Sequence, residues 1–321
     1  MTSDFELKGL STEMLNKAHK MNWFRLFVKK RFGGSEANLT EAMKALFEAA
    51  AIDGSLGWCV NLGSGASYFS GFLSSATVSE LLNDSKSAFA GSGQIGRAIC
   101  KGDHYLVSGS WPRCTGAAHA TSFTANAELE DGSVHTFILP SDQVTITNTW
   151  TLMGLDNSST YQIDAVEIEV PEAHSFTIGK LNTETSYAIH TIPFEPFARC
   201  CMIASLLGMT TCFVDKVKNT KGLMSRPNMD EHVLELSGII SDSFDQFRKK
   251  ATQLEQICSD RIDPEAISNE IKSEVIRLAA GIREKINMIY YHGGLQLADT
   301  KNPANSAFRD LLVAGQHNLF R

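Results

Sequence analysis

Several residues of this 321-residue chain carry side chains suited to proton transfer or anion binding. Arg309 and Asp310 are followed at helical spacing by His317, a lone imidazole that titrates near neutrality and can therefore give or take a proton. Upstream, the stretch Val107-Ser-Gly-Ser-Trp-Pro-Arg113-Cys-Thr115-Gly116 combines a hydroxyl, a guanidinium and a thiol at the end of an alternating segment. His119 follows Thr115 closely, although a histidine in such a place most often satisfies local hydrogen bonds. The fragment Gly91-Ser92-Gly93-Gln94-Ile-Gly96 is rich enough in glycine to let backbone amides approach a ligand, and its ordinary reading is a turn. It opens a strand region instead of joining a strand to a helix, so no bound nicotinamide is expected.

The composition narrows the chemistry. A net charge of −7 and a pI near 5.7 provide no broad basic surface, which argues against nucleic acid. No positively charged start precedes an apolar run, and no stretch reaches the roughly 20 uninterrupted apolar residues of a membrane span. The reading is a cytoplasmic protein. The seven cysteines form an odd set without a Cys-x-x-Cys pair or histidines at ligand spacing, so neither a disulfide framework nor a metal site is expected. They read as small buried hydrophobes.

Two changes of period divide the chain into three regions. Up to about Leu82 the pattern is helical: Asn38 and Glu41 form a capping-box pair, Ala42, Leu46 and Ala50 follow, and Asp53-Gly54-Ser55 separates this helix from Leu56–Leu73. From about Ser87 to Lys180 the period is twofold, with Phe123, Ala125, Ala127 and Leu129, then Val144, Ile146 and Asn148, then Val166, Ile168 and Val170, and a hairpin turn at Glu130-Asp131-Gly132-Ser133. Beyond Phe194 the helical stripe returns, in Met229 to Leu254 and again in Ile267 to Ile289 behind Asp263 and Pro264. Short connections between such helices favour an antiparallel bundle. Leu181 to Pro196 reads as the linker.

Helices, a small β-domain and a bundle, in this order, resemble the acyl-CoA dehydrogenase superfamily. The motifs support the likeness. Lys30-Arg-Phe-Gly33-Gly34 resembles that family's "Pro-Lys-x-Tyr-Gly-Gly", and Asp53-Gly-Ser-Leu-Gly-Trp58 resembles the "Asp-x-Ser-x-x-Trp" of its flavin monooxygenase branch. Ser108 to Gly116 looks like "Gly-x-Trp-x-x-x-Ser-Gly", with Thr115 in place of serine, and Arg309, Asp310, Ala314 and His317 meet "Arg-Asp-x-x-x-Ala-x-x-His". The chain is shorter than is usual in the family, mainly at the N-terminus.

The resemblance implies an α+β multidomain fold: an N-terminal helical domain (1–85), a middle antiparallel β-barrel (86–182) and a C-terminal four-helix bundle (183–321), assembled as a homotetramer. It implies a flavin, FAD or FMN, lying where the bundle meets the β-domain. Thr115 is then expected near the reactive ring nitrogen. Ser92, Gly93 and Gln94 lie close by, Arg113 faces the cofactor, and Arg309 either orients the last helix or reaches a flavin phosphate. His317 is the expected acid/base. A monooxygenase of this branch takes reduced flavin from a separate reductase and transfers one oxygen atom from O2 to a small substrate such as an aromatic ring. The alternative is an acyl-CoA dehydrogenase with FAD, which needs a carboxylate base in the loop before the last helix. That loop, Leu295 to Asn305, holds no glutamate and only Asp299. A second alternative is a non-catalytic member.

Overall fold

A computed structural model describes residues 7–321; the very start of the chain, where a leader-like run was sought, and thus the first positions of the 1–85 stretch, lie outside the described residues. Helical elements, a seven-stranded sheet and more helices follow one another along the chain, and each change of period coincides with a change of element type.

The contacts gather into two compact units. The first contains residues up to Ala37, Leu62–Thr151 and Asp156–His190; the second contains Asn38–Asn61, Leu152–Leu155 and Thr191–Arg321. Each is assembled from separated stretches of chain, so the units cut across boundaries at 85 and 182.

In the first unit α1 (Thr12–Lys20) and α4 (Ser75–Leu81) accompany strands β1 (Phe89–Cys100), β2 (His104–Cys114), β3 (Ser122–Glu128), β4 (Val134–Pro140), β5 (Thr145–Thr147), β6 (Tyr161–Pro171) and β7 (Ser175–Phe176). Their order is β5-β6-β2-β1-β3-β4-β7. This corrects the antiparallel part of the expectation. The order is linear, and β1 pairs with β3 in parallel. The cause is the segment after Cys114: β2 returns antiparallel beside β1, and residues 115–121 then carry the chain to β1's other side, where Thr121 N–H donates to Ala88 O at 2.8 Å.

Three bulges interrupt the ladders. Gly93 and Gln94 lie between Ser92, paired with Ala125, and Ile95, paired with the next residue Asn126, so the expected glycine-rich loop is a bulge inside β1. A second bulge in β2 lies between Trp111 and Cys114. The third, in β6, places Glu167 at φ 49° and turns Val166 outward to 83% exposure, while Ala165 and Ile168 face the core. Val166 is therefore not the inward residue that alternation predicted. One extra residue reverses the face of everything on one side of it.

Trp111 fills the middle of the sheet's core, with Phe123, Phe137 and Ile163 around it. Its indole N–H donates to Asn126 O at 3.0 Å, beside the β1 bulge. The Glu130–Ser133 turn forms as expected: Gly132 takes φ 82° and Leu129 N–H donates to Ser133 O at 2.8 Å.

The second unit holds α2 (Leu39–Ile52), the start of α3 (Gly54–Ser67), α5 (Phe194–Asn219), α6 (Met229–Ser259), α7 (Glu265–Ala298) and α8 (Pro303–Ala314). Asn38 and Glu41 close the capping box at the start of α2, and Asp263 accepts the Glu265 N–H at 3.0 Å ahead of α7. Ion pairs fix α6 against α7 in opposite directions: Glu235 meets Lys285 at 2.6 Å, and Lys250 meets Glu274 at 3.4 Å. Helix α7 breaks at Gly294, where φ is 51°. Helix α5 is long and apolar enough to cross a membrane, but 89% of its most apolar window is buried in the protein. Six of the seven cysteines are buried as expected; Cys100 is exposed, a correction to the reading that made all of them core.

Gly96 has no room for a side chain, since a Cβ there would stand 2.5 Å from the Trp111 ring and 2.7 Å from Ser108 O. Gly96→Ala should therefore lower stability by about 1–3 kcal/mol, the usual range for overpacking. Urea denaturation monitored by tryptophan fluorescence reads the change.

Candidate active site

In the first unit, β2 delivers Thr115 into a buried position just past its end. The Thr115 hydroxyl lies 3.0 Å from the Thr160 hydroxyl, which lies 2.7 Å from that of Ser158. Gly116 adopts φ 83°, and the backbone amides of Gly116 and Ala117 donate to Ser158 O and Ser159 O, each at 3.0 Å. The turn is thus tied to the approach to β6 by both backbone and side chains. His119 closes it from within: its ring packs on Phe24 at 5.2 Å, and burial, helped by the positive field of His19, lowers its pKa to about 4.

Arg113 occupies the β2 bulge with φ 63°, a left-handed conformation that costs a non-glycine residue about 1 kcal/mol or more. Its side chain is exposed and, among the described residues, makes no ion pair or hydrogen bond. Ser92 and the bulge residues Gly93 and Gln94 border solvent; the Ser92 hydroxyl accepts the Gln94 N–H at 3.3 Å, and a Cβ on Gly93 would meet nothing within 4 Å. Gly93 is not demanded by packing. Cys114, one residue before Thr115, is buried with its thiol pushed up to about 12, so it is no nucleophile.

In the second unit, three distant stretches meet. Asp310 is buried and its carboxylate accepts the Leu155 N–H at 2.6 Å, while Gly54 lies against the same carboxylate. Arg309 donates from Nε to the Asn305 side chain at 3.0 Å and from Nη1 to Met153 O. The expected Arg-Asp pair thus fastens the segment Leu152–Leu155 onto α8. Seven residues beyond Asp310, His317 lies edge-on to Trp58, ring centroids 5.8 Å apart, so two motifs at opposite ends of the chain share one place.

The His317 ring also caps the final turn, Nδ1 accepting the Leu319 N–H at 3.3 Å. Burial, and secondarily the Arg199 guanidinium, holds its pKa below the ordinary value. Arg199 is itself buried, bound to Glu195 at 2.8 Å and donating to Leu319 O. Sequence reasoning missed Arg199, because its only local signal is Glu195 one turn earlier. Asp299 is exposed and accepts the Lys301 N–H at 2.9 Å as a solvated loop residue, while the cap of α8 is Asn302, whose side chain accepts the Ala304 N–H at 2.9 Å.

Comparisons with known proteins follow the motifs. No family model matches the sequence. Over 217 residues the chain is 21% identical to the flavin-dependent monooxygenase oxygenase subunit HsaA of Mycobacterium tuberculosis, covering 64% of this chain and 55% of that protein. The chain spans about half the length of the curated relatives it matches. Among solved structures it superposes on XiaF from Streptomyces sp. in complex with FADH2 and glycerol with a TM-score of 0.85 at 16% identity, covering 98% of this chain and 85% of that one. On the complex of TdsC from Paenibacillus sp. A11-2 with FMN and indole the TM-score is 0.79 at 16% identity, covering 97% and 88%. The chain has the fold of these flavin-bound structures, in keeping with the resemblance carried by its motifs.

His190, whose Nε2–H donates to Tyr68 O (2.9 Å) and whose Nδ1 accepts the Tyr187 N–H (3.2 Å), has a pKa lowered by burial to about 4. Folding here disfavours the charged form, so its contribution to stability is full above the ordinary 6.5 and is lost as pH falls towards about 4. The urea midpoint should fall over that interval, with His119 and His317 acting in the same direction. His190→Phe should flatten the decline, even if it lowers the midpoint at pH 7.

Proposed function

We propose that this chain is the oxygenase component of a two-component flavin-dependent monooxygenase, which uses reduced flavin, FAD or FMN, and O2 to oxygenate a small aromatic substrate. The observation that carries this reading is Thr115. The motif residue expected beside the flavin is a buried hydroxyl at a strand end, held by Thr160 and by the Gly116 turn. The sequence relative HsaA and the flavin-bound structures XiaF and TdsC support it, the last with indole beside FMN.

The residues present suit a flavin. Arg113 offers a free guanidinium to an anionic group, Ser92, Gly93 and Gln94 offer an uncrowded bulge, and the Thr115 hydroxyl offers a donor or acceptor to a ring nitrogen. Arg309, bound to Met153 O and Asn305, holds the segment Leu152–Leu155, and its charge would suit a flavin phosphate. Bound reduced flavin supplies the electrons that activate O2. His317 would supply a hydrogen bond: because Nδ1 accepts the Leu319 N–H, the neutral ring carries its hydrogen on Nε2, and that N–H is a donor. Burial, and secondarily Arg199, which also holds the Leu319 carbonyl, disfavours the charged form of this ring.

The dehydrogenase reading needs a carboxylate base in Leu295–Asn305, and the one carboxylate there, Asp299, is exposed in the loop and accepts the Lys301 N–H. Retention of flavin by the purified protein separates the proposal from the non-catalytic alternative. We further read the chain as three sequential modules, 1–85, 86–182 with its strands curled as a barrel, and 183–321 with α5–α8 as a four-helix bundle. We also read it as a cytoplasmic homotetramer served by a separate reductase. The exposed apolar residues Met288, Tyr291 and Leu295 along α7 support self-association, and light scattering at micromolar concentration tests it.

Two variants test the chemistry. Thr115→Val should weaken flavin retention about tenfold, the value of one hydrogen bond to the cofactor, as read by fluorescence titration. His317→Ala should lower product formation by about 10²–10⁴-fold and release the consumed O2 as hydrogen peroxide, measured by oxygen electrode and peroxide assay. Unchanged coupling of O2 to product would return His317 to a purely structural cap.

A further inference from the structure

His119 is not among the residues assigned above to substrate or cofactor, and its surroundings do not explain it as a structural residue. Its ring is enclosed by the first unit, against Phe24 and within reach of the Gly116 turn, and Nδ1 is buried with no hydrogen-bond partner. A buried polar atom left unsatisfied is costly, and a leucine or phenylalanine would fill the same space without that cost. A stability role alone therefore does not account for histidine here.

What the ring touches is specific. A Cβ built on Gly116 would stand 3.0 Å from His119 Nε2 and 3.1 Å from Cε1, so the imidazole edge lies directly under the Gly116 backbone. Gly116 is at φ 83°, and its carbonyl accepts the N–H groups of His119 and Ala120, both at 3.0 Å. Its amide is tied to Ser158 O on the opposite side. The turn is thus clamped between the Ser158–Thr160 segment and the His119 ring, and Thr115 is the residue it carries.

We propose that His119 is a positioning residue for the flavin site: its imidazole, wedged beneath Gly116, fixes the turn that sets the direction of the Thr115 hydroxyl. This rests on the reading of Thr115 as a flavin contact. The ring stays neutral near pH 7, since burial depresses its pKa, and so the wedge does its work by shape and dipole without a net charge. His119 acts on the cofactor only through Thr115.

The test measures oxidised FMN binding and the visible spectrum of bound FMN in wild type, Thr115→Val, His119→Ala, His119→Phe and Thr115→Val/His119→Ala. Loss of the Thr115 contact alters the electronic environment of the ring, so Thr115→Val provides the reference spectral shift. His119→Ala should reproduce that shift and weaken binding about tenfold, and the double variant should be no worse than either single one, because both remove one interaction. His119→Phe, which fills the space under Gly116 without the imidazole dipole, should shift the spectrum in the same direction as His119→Ala, and a wild-type spectrum in it would also overturn the proposal. A spectrum and affinity unchanged in His119→Ala, or effects that add to those of Thr115→Val, would overturn the proposal. Should His119→Ala fail to fold, His119→Asn serves in its place with the same two outcomes. If wild type itself binds neither FMN nor FAD, it is the flavin reading that fails, and the proposal about His119 falls with its premise; a wild type that binds flavin beside an unaffected His119→Ala defeats the proposal alone.

Discussion

The second unit depends on one buried carboxylate. Asp310 lies on α8 with its charge enclosed, and a buried carboxylate persists only where donors are fixed around it. One donor is the amide of Leu155, a residue held at φ 57° and supplied by a four-residue stretch that belongs to this unit although its sequence neighbours do not. Gly54 is required beside the carboxylate because any side chain there would collide with it. Gly154 is required beside Arg309 for the same reason. A single charge thus dictates one glycine, one left-handed residue and the capture of a short segment, and it does so one helical stretch before His317.

This arrangement explains what sequence could and could not disclose. Caps and stripes are local, so the capping box at Asn38, the Asp263 cap and the periodic apolar faces of α6 and α7 were legible from spacing alone. The Arg309–Asp310 motif was visible, but its partners stand more than a hundred residues earlier, and no local rule links position 155 to position 310. The two-unit division escaped notice for the same reason: α2 follows the first unit's opening residues in sequence but packs on α5.

The sheet shows a different limit. Alternation identifies a strand but says nothing of its neighbour, so the parallel β1–β3 pair was invisible, and the all-antiparallel expectation followed from strand lengths and turns that fit either arrangement. A bulge defeats alternation more directly. In β6 the run Val166, Ile168, Val170 alternates perfectly on paper, yet the extra residue at Glu167 sends Val166 to solvent. The bulges in β1 and β2 similarly placed Gly93, Gln94 and Arg113 outside the ladder. Bulges gather beside functional sites because they re-aim side chains that strict pleating would confine to one face.

Within the site, the residue types were legible and their protonation was not. An isolated histidine titrates near 6.5 and can serve as either acid or base. The fold removes half of that freedom from His317. The Leu319 amide occupies Nδ1, burial and Arg199 disfavour the cation, and the ring is left as a neutral donor through Nε2. To accept a proton at Nε2 it would first have to surrender the one it holds there, and protonation at Nδ1 would break the cap on the final turn. The geometry therefore favours donating a hydrogen bond to a developing negative charge over abstracting a proton. On the proposed reading of the site, that preference suits stabilising charge during oxygen transfer better than removing a proton from a thioester, and it arises from a backbone amide two residues away that no motif at this position records.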